Sequence, residues 1–231
     1  MELMKQRLLT KTNKIVIIDH HRRSADYIEN ATLTFQEVYA SSAAELVTEL
    51  LQYAEVNVEL KKIEAEALYA GIMMDTKSFT FKTGVRTFEA AAYLRKCGVD
   101  IIRVKKWFQS DLETYKKITE IIKTTEIVND TIGIATYNEN DKEANIICAK
   151  SADQLLAIGN ITASFVLGLM EDGKVCISGR SIGDVNVQMI LEKLGGGGHI
   201  TLAGAQLENV TIDEAKQELI SKINEYFEEK E

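Results

Sequence analysis

Ile15-Val16-Ile17-Ile18 is the stretch that most restricts what this chain can become. Four consecutive apolar, β-branched residues without alternation suit a strand buried on both faces of a parallel sheet. The run leads directly into Asp19-His20-His21. A carboxylate and two imidazoles therefore fall at a strand's carboxyl end, where open α/β sheets place their ligands.

The rest of the first half reads as helices. Met1 to Leu9 suits a short amphipathic helix. Ser42 with Glu45 forms a capping-box signature opening a helix from Ala43 to Tyr53, with Leu46, Val47, Leu50 and Leu51 at helical spacing. A helix from about Leu60 to Met74 would place Ile63, Ala67, Leu68 and Ile72 on one side and end at Asp75-Thr76. Thr87 to Lys96 is the next, with Gly98 as its C-terminal cap. From Ile101 to about Glu126 a lysine-rich helical stretch joins two halves of different character.

Beyond it, Thr131 to Tyr137 and Asn145 to Cys148 are strand-like, with a helical patch over Ala152 to Ile158. Ser164 to Met170 and Lys174 to Arg180 flank Glu171-Asp172-Gly173, a hairpin signal. Val185 to Leu194 reads as a helix running into Gly195-Gly196-Gly197-Gly198-His199, and Thr211 to Tyr226 as a closing helix with Asp213 and Glu214 in its first turn. With 231 residues the chain forms one large or two small domains. The order of elements is α/β in front and α+β behind.

Charge and cysteine content narrow the function classes. A formal net charge of -8 opposes a broad grip on nucleic-acid backbone but permits a small basic pocket for a short phosphate ligand. No apolar run approaches the roughly 20 residues of a membrane span, and the first fourteen residues contain no signal-peptide core. Cys97, Cys148 and Cys176 are odd in number and widely spaced, unlike a disulfide framework or a metal knuckle. A soluble, cytoplasmic location is expected.

Each histidine falls at a special point. Asp19, His20 and His21 can bind a divalent cation through neutral imidazole and carboxylate; a polar loop after a strand is the other reading. Asp75 is either a second ligand or a cap for the next turn of chain. The four glycines read as an anion-binding nest with His199 and Arg180 as donors, or as a flexible linker, though a linker usually has more polar flanks. Ser178, Arg180 and Ser181 make a hydroxyl, guanidinium and hydroxyl cluster, unless Arg180 is a salt-bridging surface residue.

Together Asp19-His20-His21, Gly71 to Thr76, Arg86-Thr87-Phe88, Ser178 to Ser181, Asp184-Val185 and Gly195 to His199 resemble the DHH phosphoesterase superfamily with its DHH-associated domain. Asp19 to Arg23, Ala40 to Leu50 and Asp75 to Phe88 look closest to the GdpP-type cyclic-di-AMP phosphodiesterases. The resemblance implies an α/β architecture: a partial parallel-sheet DHH domain over residues 1–108, a linker helix over 109–128, and a smaller α+β DHH-associated domain over 129–231. It also implies a two-manganese site that opens cyclic-di-AMP to linear pApA. By family pattern His20 and Asp75 would be metal ligands, His21 would meet the scissile phosphate and Asp19 would support the site. Ser178, Arg180, Ser181, Gly195, Gly196, Gly197, Gly198 and His199 would hold the nucleotide.

The family takes further metal ligands from upstream of this motif, whereas the first eighteen residues here contain no Asp and no His. A half-built metal centre with little hydrolysis by this chain alone is the expectation. Trimming of short oligonucleotides, as by nanoRNases or RecJ-like exonucleases, is one alternative. Metal-independent nucleotide binding is another. Expected partners are cyclic-di-AMP or a short linear dinucleotide, but not long nucleic acid. No membrane contact is expected from this chain, although its parent would be membrane-anchored, and an exposed strand edge in the front half would favour a homodimer.

Overall fold

The apolar run forms β1 (Val16–Asp19), which pairs in parallel with β2 (Leu33–Gln36), in register Val16 to Leu33 through Asp19 to Gln36. The computed structural model describes residues 11–229 except 13, 24–26 and 56–57. The helix expected over Met1 to Leu9 lies outside them. Parallel pairing agrees with the expectation, but burial on both faces does not. Val16 is 60% exposed and Leu33 54% exposed, because within the described residues the sheet has only these two strands.

Helices make the core of this first unit, residues 1–109. The α1 helix (Ala43–Gln52) starts at Ser42, whose hydroxyl accepts from the Glu45 N–H at 3.0 Å. The reciprocal half of a capping box is not made, because the buried Glu45 carboxylate accepts from the Ser41 hydroxyl instead. The α2 helix (Lys62–Asp75) buries Ala65, Tyr69 and Ile72 at positions i, i+4 and i+7. Ile63 and Ala67, expected on the inner side, are exposed. The α3 helix (Val85–Lys96) supplies Ala90 and Leu94, and ends as expected at Gly98, whose N–H reaches the Arg95 carbonyl while Val99 N–H reaches Leu94. Val104 of α4 (Ile101–Trp107) completes the cluster.

The long helix expected over Ile101 to Glu126 is two helices. It breaks at Gln109-Ser110-Asp111, where Asp111 caps α5 (Leu112–Lys123) by accepting from the Thr114 N–H at 2.9 Å. Rather than linking, α5 packs Ile118 and Ile121 into the core of the second unit. With α5 included, that unit spans residues 110–231.

The second unit is a six-stranded mixed sheet, β3 (Glu126–Val128), β4 (Ile132–Asp141), β5 (Ala163–Met170), β6 (Val175–Ser181), β7 (Gly197–His199) and β8 (Leu202–Leu207), in spatial order β3-β4-β5-β6-β8-β7. Only β4 and β5 run parallel; the other neighbours are antiparallel. The β5–β6 hairpin turns at Gly173 as its Asp-Gly signal predicts. Asn145 to Cys148 is not a strand. It lies in α6 (Ala144–Leu155), which buries Ala144, Ile147, Cys148, Ser151, Ala152 and Leu155 at helical spacing.

Strand alternation divides the side chains between two cores. Phe165, Leu167, Val175 and Ile177 face α7 (Val187–Glu192) and α8 (Ile212–Glu228), while Val166 and Cys176 face α5 and α6. Among the described residues no helix is long and apolar enough to cross a membrane.

Candidate active site

In the first unit the site is built on the end of β1. The Asp19 carboxylate accepts from the His21 backbone N–H at 3.0 Å and lies 2.8 Å from His21 Nδ1. Partial burial pushes this carboxyl up, but the His21 hydrogen bonds and ring charge, with the His20 backbone N–H, outweigh it and hold it below the ordinary value. With Nδ1 fixed by the carboxylate, the Nε2 edge of His21 is directed away from Asp19. The His20 ring lies beside it, centroids 4.3 Å apart.

His20 turns the other way and is almost covered. Its Nε2 is 3.5 Å from Asp75 Oδ2 at the last residue of α2, and its buried Nδ1 has no hydrogen-bond partner. Asp75 is followed by Thr76, whose hydroxyl donates to the Ile72 carbonyl and accepts from the Phe79 N–H, and then by three left-handed residues, Lys77, Ser78 and Phe79, with φ of 45°, 56° and 66°. Three consecutive non-glycine residues in this region mark a constrained turn beside the site.

Further residues brace the strand end. Gln36 Nε2 donates to the His21 carbonyl at 2.8 Å, and the Glu37 N–H donates to the Asp19 carbonyl at 3.0 Å. Arg86 grips both Glu49 oxygens, at 2.7 and 2.6 Å, and the Glu37 carboxylate at 3.0 Å. Sequence reasoning singled out Arg86 only as part of a motif, and missed Gln36 and Glu37 because their partners are distant in the chain.

A divalent cation fits His20 and Asp75 as two donors. Their polar atoms converge, and a buried imidazole nitrogen lacking a partner is costly unless the ring is engaged. The set stops at two: among the described residues no three His, Cys, Asp or Glu side chains group to hold a metal.

In the second unit the expected nucleotide-binding residues fall on β6, on β7 and in the turn leading into β7. Antiparallel register aligns Ser178 with Gly204 and Gly204 with Gly197, and in the next row Arg180 with Leu202 and Leu202 with His199. Directly opposed residues share a face of the sheet. Ser178, Arg180 and His199 therefore line one face, with Gly204 and Gly197 as a floor bare of side chains. A cleft of about 450 Å³ opens here, lined by Ser178, Gly195, Gly196, Gly197, Gly204 and Asn145 among others.

Arg180 is not a surface residue. It is 7% exposed, its Nε donates to Asp153 Oδ1 of α6 at 3.0 Å and its Nη1 to the Gly179 carbonyl at 2.8 Å. Asp153 was not foreseen, since nothing local ties α6 to β6. Ser181 departs from the cluster. Alternation turns it to the opposite face, where its buried hydroxyl accepts from the Gly183 N–H at 3.3 Å.

The glycine run is not a free linker: Gly197 and Gly198 enter edge strand β7, and Gly195 and Gly196 lead into it. A Cβ on Gly196 would lie 2.3 Å from the Gly204 carbonyl oxygen, and one on Gly198, at φ 150°, 2.4 Å from that of Leu202. The glycines allow β7 to press against β8.

An Asp-His-His motif at a parallel strand end, followed in the same chain by a mixed sheet with a glycine-floored cleft, places the molecule in the class of bipartite DHH proteins. Family models match in the same two places: the DHH family N-terminal domain over residues 2–72, and the DHHA1 domain over residues 129–229. The chain belongs to the DHH family in its DHH–DHHA1 form. It is 49% identical over 226 residues, 98% of the chain, to the cyclic-di-AMP phosphodiesterase GdpP of Geobacillus thermodenitrificans, covering 34% of that protein. To the protein of the same name in Bacillus subtilis it is 46% identical over 98% of the chain, covering 35%. The chain thus spans about a third of the length of these relatives. An exopolyphosphatase-related protein from Bacteroides fragilis shares the fold, with a TM-score of 0.82 and 20% identity over 92% of this chain and 64% of that one.

Proposed function

We propose that this chain is a catalytic portion of a cytoplasmic-side cyclic-di-AMP phosphodiesterase, that its DHH unit contributes His20 and Asp75 to a manganese centre, and that its DHHA1 unit holds the dinucleotide. The observation that carries the metal role is the approach of His20 Nε2 to Asp75 Oδ2 at 3.5 Å, two potential ligands brought together from either end of the first unit. Near-half identity to cyclic-di-AMP phosphodiesterases along almost the whole chain supports the substrate. When bound, divalent cations supply Lewis-acid polarisation of the phosphoryl group and a hydroxide at neutral pH.

The chain's own residues do the positioning. Asp19 orients the His21 ring through Nδ1, and His21 would meet the scissile phosphate. In the second unit, Ser178 and the backbone around Gly196 and Gly197 line the cleft and offer neutral hydrogen-bonding groups to a dinucleotide, and Arg180, held by Asp153, lies on the same face of the sheet beside it. A glycine floor permits flat groups to lie close to the sheet.

Among the described residues two donors converge, too few for two cations; the 231-residue chain then binds cyclic-di-AMP without metal and hydrolyses it poorly even in excess manganese. Titration calorimetry with cyclic-di-AMP in a chelator and in manganese, with chromatography for pApA and a linear dinucleotide in parallel, tests this. Binding in the chelator with little turnover is expected. Absence of dinucleotide binding under both conditions overturns the substrate assignment, and rapid manganese-dependent hydrolysis by this chain overturns the half-built centre.

A further inference from the structure

Cys148 of α6 and Cys176 of β6 have no role in the chemistry above, yet the fold brings them together. Both are buried, at 0% and 3% exposure, and both side chains reach the space beside Gly168. Gly168, the direct partner of Cys176 on β5, makes the meeting possible. A Cβ there would lie 2.4 Å from Cys148 Sγ and 3.5 Å from Cys176 Sγ, in the space where the two sulfurs approach. Nor is the pair sealed off, because Cys176 lines the cleft two residues from Ser178.

We propose that Cys148 and Cys176 are a reversible disulfide-forming pair, oxidised by a peroxide that enters the cleft and linking α6 to β6 beneath its floor. Cys176 is the attacking sulfur. Interaction with Cys148 holds its thiol below the ordinary value, whereas the same interaction and burial push Cys148 up. The Cys176 thiolate takes one peroxide oxygen; the O–O bond breaks, hydroxide leaves and a sulfenic acid forms. The Cys148 sulfur then attacks that sulfur, the S–S bond forms and the S–O bond breaks. Two thiols and one hydrogen peroxide become one disulfide and two waters, with the thiol protons on the waters. The sulfurs lose two electrons and the peroxide gains them.

Cys97, in the other unit and partly exposed, is the internal reference. The full chain, reduced and freed of reductant, is titrated with hydrogen peroxide, quenched in urea with N-ethylmaleimide and analysed by intact mass and peptide mapping. The expected result is loss of two of the three thiols together, a peptide pair joined through Cys148 and Cys176, retention of Cys97 as a free thiol, and full recovery with dithiothreitol. Unfolding the chain in urea before oxidation should abolish the preference for this pair. Gly168→Ala should slow the linkage; should that variant fail to fold, the folded against urea-unfolded comparison decides alone. Oxidation of Cys97 while Cys148 and Cys176 still take maleimide overturns the proposal, as does an equal preference for the pair in the unfolded chain.

Discussion

Both units contain strands of branched and aromatic apolar residues, but only one buries them. In the second unit every residue of β5 from Ala163 to Gly168 is buried, with Phe165 at 0% exposure, because strands flank it on both sides and helices cover both faces. In the first unit β1 has a single described neighbour, and Val16 remains mostly exposed. Local sequence is comparable; neighbours decide the burial. The first unit therefore rests on its helical cluster of Ile72, Leu94 and Val104, and its histidines sit on a thin two-stranded support stiffened by Gln36, Glu37 and Arg86. The cleft of the second unit sits on a sheet with a core behind it.

Core truncation should separate the two most clearly. Phe165→Ala should cost about 3–5 kcal/mol in the second unit, as for large buried aromatics, whereas Val16→Ala should stay within about 0.5 kcal/mol. Urea unfolding followed by far-UV circular dichroism measures both, and the fluorescence of Trp107, the only tryptophan and part of the first unit, reports whether that unit unfolds with the second. A loss at Val16 as large as at Phe165 would mean that the two-stranded sheet is as well supported as the six-stranded one.

Ligand binding sharpens the same contrast. Arg180→Ala should weaken metal-free binding of cyclic-di-AMP by about 1.5–3 kcal/mol, the range for a hydrogen bond to a charged group, while His20→Ala should leave it unchanged. Calorimetry in a chelator checks both. Equal losses would show that the first unit shares the dinucleotide site without metal.

The glycine run gives an internal control. Gly198→Ala forces a Cβ into the Leu202 carbonyl at a φ of 150° and should cost about 1–3 kcal/mol, while Gly197→Ala meets nothing within 4 Å and should cost much less. Paired thermal melts test whether β7 is held as firmly as the register implies.

The parts of this architecture that were legible were those written locally. Asp19-His20-His21 at the end of an apolar run, the Ser42 cap and the β5–β6 hairpin signal all involve residues within a few positions of one another. What was not legible depended on distant partners. The strand Leu33–Gln36 exists through its pairing with β1, and β7 through its close approach to β8. Asn145 to Cys148 is a short apolar run that fits either period; only with Ser151, Ala152 and Leu155 included does its helical face emerge. Arg180 is buried against Asp153, a partner distant in the chain, and its neighbour Ser181 is turned to the opposite face by strand alternation, which adjacency in sequence does not show.

The smallest expected effect concerns α5, the helix that sequence character alone made a linker. Its Lys117 forms an ion pair with Asp141 at the far end of β4, and the Tyr137 hydroxyl lies 2.9 Å from the same carboxylate oxygen. The Lys117 ammonium and the Glu143 backbone N–H, with Tyr137, outweigh partial burial and hold the Asp141 carboxyl at about 2, against an ordinary 3.8. Because the folded state favours the ionised form, this seam contributes its full stabilisation above the ordinary value, and loses it as pH falls through about 2. Partial solvent screening keeps the contribution small. Asp141→Asn should lower the urea midpoint of the second unit slightly at about pH 7, and the gap from the unmodified chain should close toward about pH 2.5. Lys117→Met should lower it in the same pH range, since it removes the other half of the pair. A gap that persists unchanged in acid would show that Asp141 acts through its shape and hydrogen bonds rather than its charge. The apolar attachment of α5 to the second unit through Ile118, Ile121 and the partly buried Ile122 would then carry the helix.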